Sequence, residues 1–329
     1  MFLPSDNTEK RFFTAGIRWT VAIACVIYIV IILGRNQNAL RSIAHINFAS
    51  IIFMAALYAI YYLLYGIRFR IILWKCTQKT IPHIKNLILL VNGMLLNSLL
   101  PQMGNAYRGL RMKKEHQIPY TGYITTYGFF IWLDMCLNLF LSFVLMVGAK
   151  TTVDIGGFSG RLIVISMFLA LISAPLIARF LFKTFTPKWQ PLFKIWSKVT
   201  GVLDVMVYSI RDWKSLLRIV GLSLMLFVNL IPILYLGFQQ LGHALPVSTI
   251  AIFCVLYKIS VYVVLTPGNI GIRELAYGVL CKEVGIGMAE GVLAGTMLRV
   301  ISYFVLLILA GGLYFIQPNR SDCIQPPNL

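Results

Sequence analysis

The sequence predicts an all-α polytopic membrane protein of about six transmembrane helices plus two re-entrant segments, arranged as two halves of inverted topology. Three observations lead there. Hydrophobic residues fill 59% of the 329 positions, charged residues only 12%, and mean hydropathy is +0.80. Uncharged stretches near the ~20 residues needed to cross the hydrocarbon recur along the chain. Two shorter apolar runs end instead in Pro, then Gly, then Arg.

The spans follow in order. Phe12–Gly34 is the first, with Arg18 close enough to its end to snorkel. It is too long for a cleaved signal and is read as a retained helix. Ile46–Ile67 and Leu162–Ala178 contain no charged residue. Tyr120–Ala149 contains one, Asp134, and Gly291–Ile316 contains one, Arg299. Ile219–Gln240 completes the six.

Net charge is +18, but the basic residues cluster in loops, as the positive-inside rule requires, so no nucleic-acid partner is implied. Residues 66–85 carry Arg68, Arg70, Lys75, Lys79 and Lys85; residues 101–119 carry Arg108, Arg111, Lys113 and Lys114. Residues 183–218 carry seven more basic residues and an apolar set (Leu192, Ile195, Trp196, Val199, Val202, Leu203, Met206) at helical spacing. That segment reads either as an interfacial helix on an anionic leaflet or as a topology determinant alone. All three loops, and the N-terminus, are expected on the cytoplasmic side.

Parity then decides the short runs. If Asn86–Leu100, "NLILLVNGMLLNSLL", crossed fully, one of two basic loops would lie outside. A re-entrant segment satisfies both charge and length, and broken backbone at membrane depth persists only where it is buried in protein or lines a cavity. Leu245–Leu265 is read the same way, entering from the opposite face and returning the C-terminal tail to the cytoplasm. Residues 1–150 and 151–329 thus each read span, span, re-entrant segment, span, within one membrane domain. Three crossings per half invert the second copy, a recurring transporter design.

The two motifs are "LLPQMGNAYRG" and "LTPGNIGIREL". Asp134 lies 26 residues after Arg108, and Arg299 lies 26 after Arg273. Pro101 and Pro267 end the descending helices; Gly104, Gly268 and Gly271 permit a tight reversal. Arg108 and Arg273 are then candidate ligands for an anionic headgroup, because a guanidinium holds phosphate bidentately. Glu274 either neutralises Arg273 in the empty site or staples the turn to it. Asp134 belongs to a relay or substrate path, or is a structural partner of Arg108 or Arg299. Lys258 either lines the same cavity or snorkels to the surface; Arg299 is paired or faces the cavity.

Catalytic signals are scarce. The histidines (His45, His83, His116, His243) are dispersed, and no metal-ligand spacing, nucleophile elbow or nucleotide phosphate loop is present. No metal and no cofactor are expected. The six cysteines are scattered without a C-x-x-C pair, against a disulfide framework.

"LPQMGNAYRGLRMKKEHQIP" and "LTPGNIGIRELAYG" resemble the signature segments of the lysylphosphatidylglycerol synthase transmembrane-region family, flippase-like integral membrane proteins, over roughly residues 12–316. The resemblance places Pro101, Gly104, Arg108, Pro267, Gly268, Gly271, Arg273 and Glu274 on recurrent family positions; Asn269 stands where a second glycine is common. It implies an inner-membrane protein that moves or binds a membrane phospholipid or lipid-linked glycan in a polar cleft. With no aminoacyl-transferase domain after residue 316, lysyl-lipid synthesis is not expected. Two alternatives stand beside translocation: a membrane enzyme acting on a polyprenyl-linked or phospholipid substrate, and an accessory subunit of a cell-envelope synthase.

Overall fold

The computed structural model describes residues 6–36, 42, 46–100, 102–149, 154–155, 157–184, 213–262 and 266–316. Ten α-helices lie among them: α1 (Asp6–Arg35), α2 (Phe48–Thr77), α3 (His83–Leu99), α4 (Met103–His116), α5 (Tyr120–Gly148), α6 (Gly160–Thr184), α7 (Trp213–Gln239), α8 (Val247–Tyr262), α9 (Ile272–Glu283) and α10 (Met288–Ile316). A two-stranded ribbon, β1 (Asp154–Ile155) paired antiparallel with β2 (Phe158–Ser159), joins α5 to α6. The protein is an all-α polytopic membrane protein. The order is long helix, long helix, helical hairpin, long helix, stated twice.

Four helices, α2, α5, α7 and α10, are long and apolar enough to cross a membrane. Shorter apolar stretches, Trp19–Arg35 of α1 and Gly160–Pro175 of α6, occupy the other two expected spans. The apolar segment 192–206 and the tail beyond residue 316 lie outside the described residues.

The sequence of α2 shows how the bundle is sorted. Tyr58, Tyr61, Tyr62, Tyr65, Arg68, Phe69 and Ile72 are buried and recur at three- and four-residue steps, one helical face. Ile52, Phe53, Ile60 and Leu63 occupy the other face and are exposed, which suits contact with lipid tails. The helix starts at Asn47, whose side chain accepts from the Ala49 amide at 3.0 Å. It ends at left-handed Gln78, whose amide reaches the Trp74 carbonyl at 2.8 Å. Its polar face packs against α5, α7 and α10.

Both short runs are helix–turn–helix hairpins. In the first, α3 ends in extended Leu100 and left-handed Gln102 (φ 64°), and the Gly104 amide donates to Asn97 Oδ1 at 2.8 Å. Pro101 lies outside the described residues. A Cβ on Gly104 would collide with the Gly93 carbonyl oxygen, so the two arms touch backbone to backbone. In the second, the chain leaves α8 and makes a single 3-10 turn, Pro267–Asn269, with positive φ at Gly268, Asn269 and Gly271. Thr266 Oγ1 donates to the Ile270 carbonyl at 3.0 Å and closes the turn.

Cross-links fix where each hairpin opens. Lys79 Nζ donates to the Gln117 carbonyl at 2.7 Å, which puts the ends of α2 and α4 at one end of the bundle. The Asn47 amide donates to Gln240 Oε1 at 2.8 Å, which puts the start of α2 and the end of α7 at the other. The chain re-enters as α8 from that second end, so the hairpins approach from opposite ends and meet at their tips. A Cβ on Gly268 would lie 2.9 Å from the Ser98 carbonyl oxygen.

Replacing Gly104 by valine is expected to force the hairpin arms apart and destabilise the protein by roughly 1–3 kcal/mol or more. Gly311→Ala, with nothing within 4 Å of the added carbon, is the neutral control. Thermal unfolding midpoints in detergent would check the pair; equal midpoints would overturn the close-approach account.

Candidate functional site

Asp134 is the fifteenth residue of the 29-residue helix α5, so its depth is the middle of the bundle. A carboxylate there needs donors on every lone pair that water would otherwise serve. It has three. Arg68 Nη1 of α2 pairs with Oδ1, while Lys258 Nζ of α8 donates to Oδ2 at 2.9 Å. The Tyr262 hydroxyl donates to the same Oδ2 at 2.6 Å. Arg68 Nη1 also reaches Ser223 Oγ of α7 at 2.9 Å, and Lys258 Nζ reaches the Tyr61 hydroxyl at 2.9 Å. One carboxylate thus ties four helices together.

The structure departs from three expectations. Asp134 pairs with neither Arg108 nor Arg299. Lys258 does not snorkel: it is 2% exposed and its ammonium faces Asp134. Arg68, expected in a cytoplasmic loop, lies nine residues before the end of α2 and is 1% exposed. The signal for it was its spacing, four residues beyond Lys258's neighbour Tyr61 and three more along the tyrosine face.

A second cluster forms where α9 meets α10. Arg299 Nε lies 2.7 Å from Glu274 Oε1, and Arg299 Nη2 donates to the Asn269 carbonyl of the turn at 2.9 Å. Glu274 Oε2 accepts from the Gly271 amide at 2.9 Å, the reach of an N3 glutamate back to its helix start. Glu274 therefore does staple the turn, but to Arg299 rather than Arg273. Neighbours in a helix point about 100° apart and do not face each other. Arg273 points elsewhere, its guanidinium carbon 4.8 Å from the Tyr257 ring centroid and 5.9 Å from that of Tyr277.

Arg108 is held in a parallel way. Its Nε donates to the Gly104 carbonyl at 3.2 Å and its Nη2 to Asn105 Oδ1 at 3.0 Å, with the guanidinium 5.4 Å from the Tyr127 ring centroid. Both hairpins thus deliver one arginine, 2% and 7% exposed, seated on tyrosine. Buried donors remain unfilled on each: Nη1 of Arg108, and Nε and Nη2 of Arg273. An unsatisfied charged donor at this depth is costly.

Tyrosines join the clusters. Tyr61 stands over Lys258 at 5.2 Å and meets Tyr257 edge-on at 6.3 Å; Tyr65 lies beside both Arg68 and Arg108. The rings pack the polar core closed. A small cavity lined by Ile88, Asn92, Ala310, Leu313 and Tyr314 sits between α3 and α10, apart from the charges. Among the described residues, no group of three or more His, Cys, Asp or Glu side chains is placed to hold a metal ion.

The model of the lysylphosphatidylglycerol synthase TM region matches residues 17–310, and the chain belongs to that family. No curated protein and no solved structure matches it.

Asp134→Asn leaves Arg68 and Lys258 buried without their counter-charge, and a loss of roughly 3–5 kcal/mol is expected. The triple replacement of Asp134 by leucine and of Arg68 and Lys258 by methionine is expected to recover most of it. Thermal unfolding in detergent would decide; an unaffected single variant would mean that the pairs carry little of the fold.

Proposed function

We propose that the protein is a lipid translocator of the inner membrane, passing an anionic headgroup through the polar core between residues 1–150 and 151–329. The two halves are read as inverted repeats, with both termini cytoplasmic and no catalytic turnover in the chain. The family, which belongs to membrane lipid metabolism or transport, supports the class. The observation that carries the finer reading is the pair of buried arginines, Arg108 and Arg273, one per hairpin, each with guanidinium N–H groups lacking a partner. A phosphoryl group supplies the acceptors those donors lack.

The geometry supports a division of roles. Tyr127 and Tyr257 hold the guanidinium faces by cation–π contact, leaving the N–H edges for a ligand. Glu274 and Arg299 brace the second turn, and Arg299 holds the Asn269 carbonyl. Movement of that turn exchanges access between the two ends of the bundle, because the hairpin tips are what meet at its centre. Both oxygens of Asp134 are engaged by three donors, which suits a fixed counter-ion better than a catalytic base. The reading as an enzyme draws less support for that reason.

Translocation of fluorescent anionic lipids, measured in proteoliposomes by quencher accessibility, tests the site. Arg108→Gln and Arg273→Gln are each expected to slow it at least tenfold while leaving the protein monodisperse. Normal rates in both folded variants would remove these arginines from the path.

Topology is tested separately with single cysteines at Lys114 and Lys282, both exposed at hairpin ends, in a background lacking the native cysteines. Labelling of Lys114→Cys only from the cytoplasm and of Lys282→Cys only from outside is expected. Labelling of both from one side would end the inverted-repeat reading.

A further inference from the structure

We propose that the headgroup taken by this core is a diphosphate borne on a lipid chain, rather than the single phosphodiester of an ordinary phospholipid. The inference rests on reading the core as a headgroup site. Its basis is charge. Among the described residues, five buried cations (Arg68, Arg108, Lys258, Arg273 and Arg299) face two buried carboxylates, Asp134 and Glu274. That is a surplus of three positive charges without a counter-ion among the described residues.

All five cations are buried. Arg68 and Lys258 are bonded to Asp134 at the middle of α5, and Arg299 is the twelfth residue of the 29 in α10. Charge at such depth persists where it is matched by other charge. A phosphodiester brings a single negative charge; a terminal diphosphate brings up to three.

The donor count agrees with the charge. The four guanidiniums hold six buried N–H-bearing nitrogens without a partner: Nε and Nη2 of Arg68, Nη1 of Arg108, Nε and Nη2 of Arg273, and Nη1 of Arg299. A phosphodiester offers two non-ester oxygens, a terminal diphosphate five.

The test is direct binding to the full-length protein in nanodiscs of neutral phosphatidylcholine. The probes are farnesyl diphosphate, farnesyl monophosphate, phosphatidylglycerol and inorganic diphosphate. Farnesyl diphosphate is expected to bind at least tenfold more tightly than each of the others. Arg108→Gln and Arg273→Gln are expected to narrow its advantage over the monophosphate. Equal affinity for the mono- and diphosphate would overturn the proposal, as would no binding of the diphosphate. Equal affinity for inorganic and farnesyl diphosphate would overturn its lipid part. The ranking on the unmodified protein decides even where a variant fails to fold. A diphosphate preference without lipid movement would sink the translocation reading alone; movement of phosphatidylglycerol with no such preference would sink only this one.

Discussion

Everything in this bundle is arranged around the need to keep one carboxylate satisfied where water is absent. Asp134 holds Arg68 of α2 and both Lys258 and Tyr262 of α8, and through Arg68 it reaches Ser223 of α7. Each of those helices must present the right face at the right depth for the network to close. The apolar surroundings raise the cost of any error, since a donor or acceptor left open there has no solvent to fall back on. A greasy bundle gains little specificity from hydrophobic burial, because lipid tails are as apolar as leucine. Polar groups with a single way to be satisfied supply it.

The second cluster follows the same rule at a turn. Breaking a helix in the interior exposes backbone groups, and four of them are answered by side chains among the described residues. Glu274 covers the Gly271 amide, Arg299 covers the Asn269 carbonyl, Thr266 covers the Ile270 carbonyl, and the Asn269 side chain reaches the Ser260 carbonyl at the end of α8. Non-Gly Asn269 tolerates its positive φ of 53° because a short amide side chain is able to bond locally. The turn is therefore braced as a single unit, and its arginine is aimed rather than loosely tethered. The first hairpin is braced by another route, contact between the backbones of Gly93 and Gly104.

Much of this was legible before any coordinates. Run length and loop charge located the long helices, and Pro101 and Pro267 together with parity located both hairpins. Partners were harder to read. Charged residues begin near Arg68, which favours a loop there, yet "RIILWK" carries apolar residues onward and the tyrosine face continues through Arg68 to Ile72. The expected partners of Asp134, Arg108 and Arg299, are the arginines of the motif and of the last span, but order in the chain does not set which helices are neighbours. The adjacency of Arg273 and Glu274 suggested a pair, which a helix forbids. For Lys258 the sequence leaves cavity-lining and snorkelling open; α8 is buried on nearly every side, leaving no path to the surface.

The network around Asp134 also has an order in time. Arg68 is 66 residues before Asp134, whereas Lys258 is 124 residues after it. While the chain is being synthesised, the first half meets the membrane with its carboxylate already matched by an arginine of its own, an internally neutral pair. Lys258 arrives only with the second half and finds the other oxygen still open. Arg68 gives Asp134 a counter-ion from its own half of the chain, and Lys258 adds a positive charge to a pair that is already neutral.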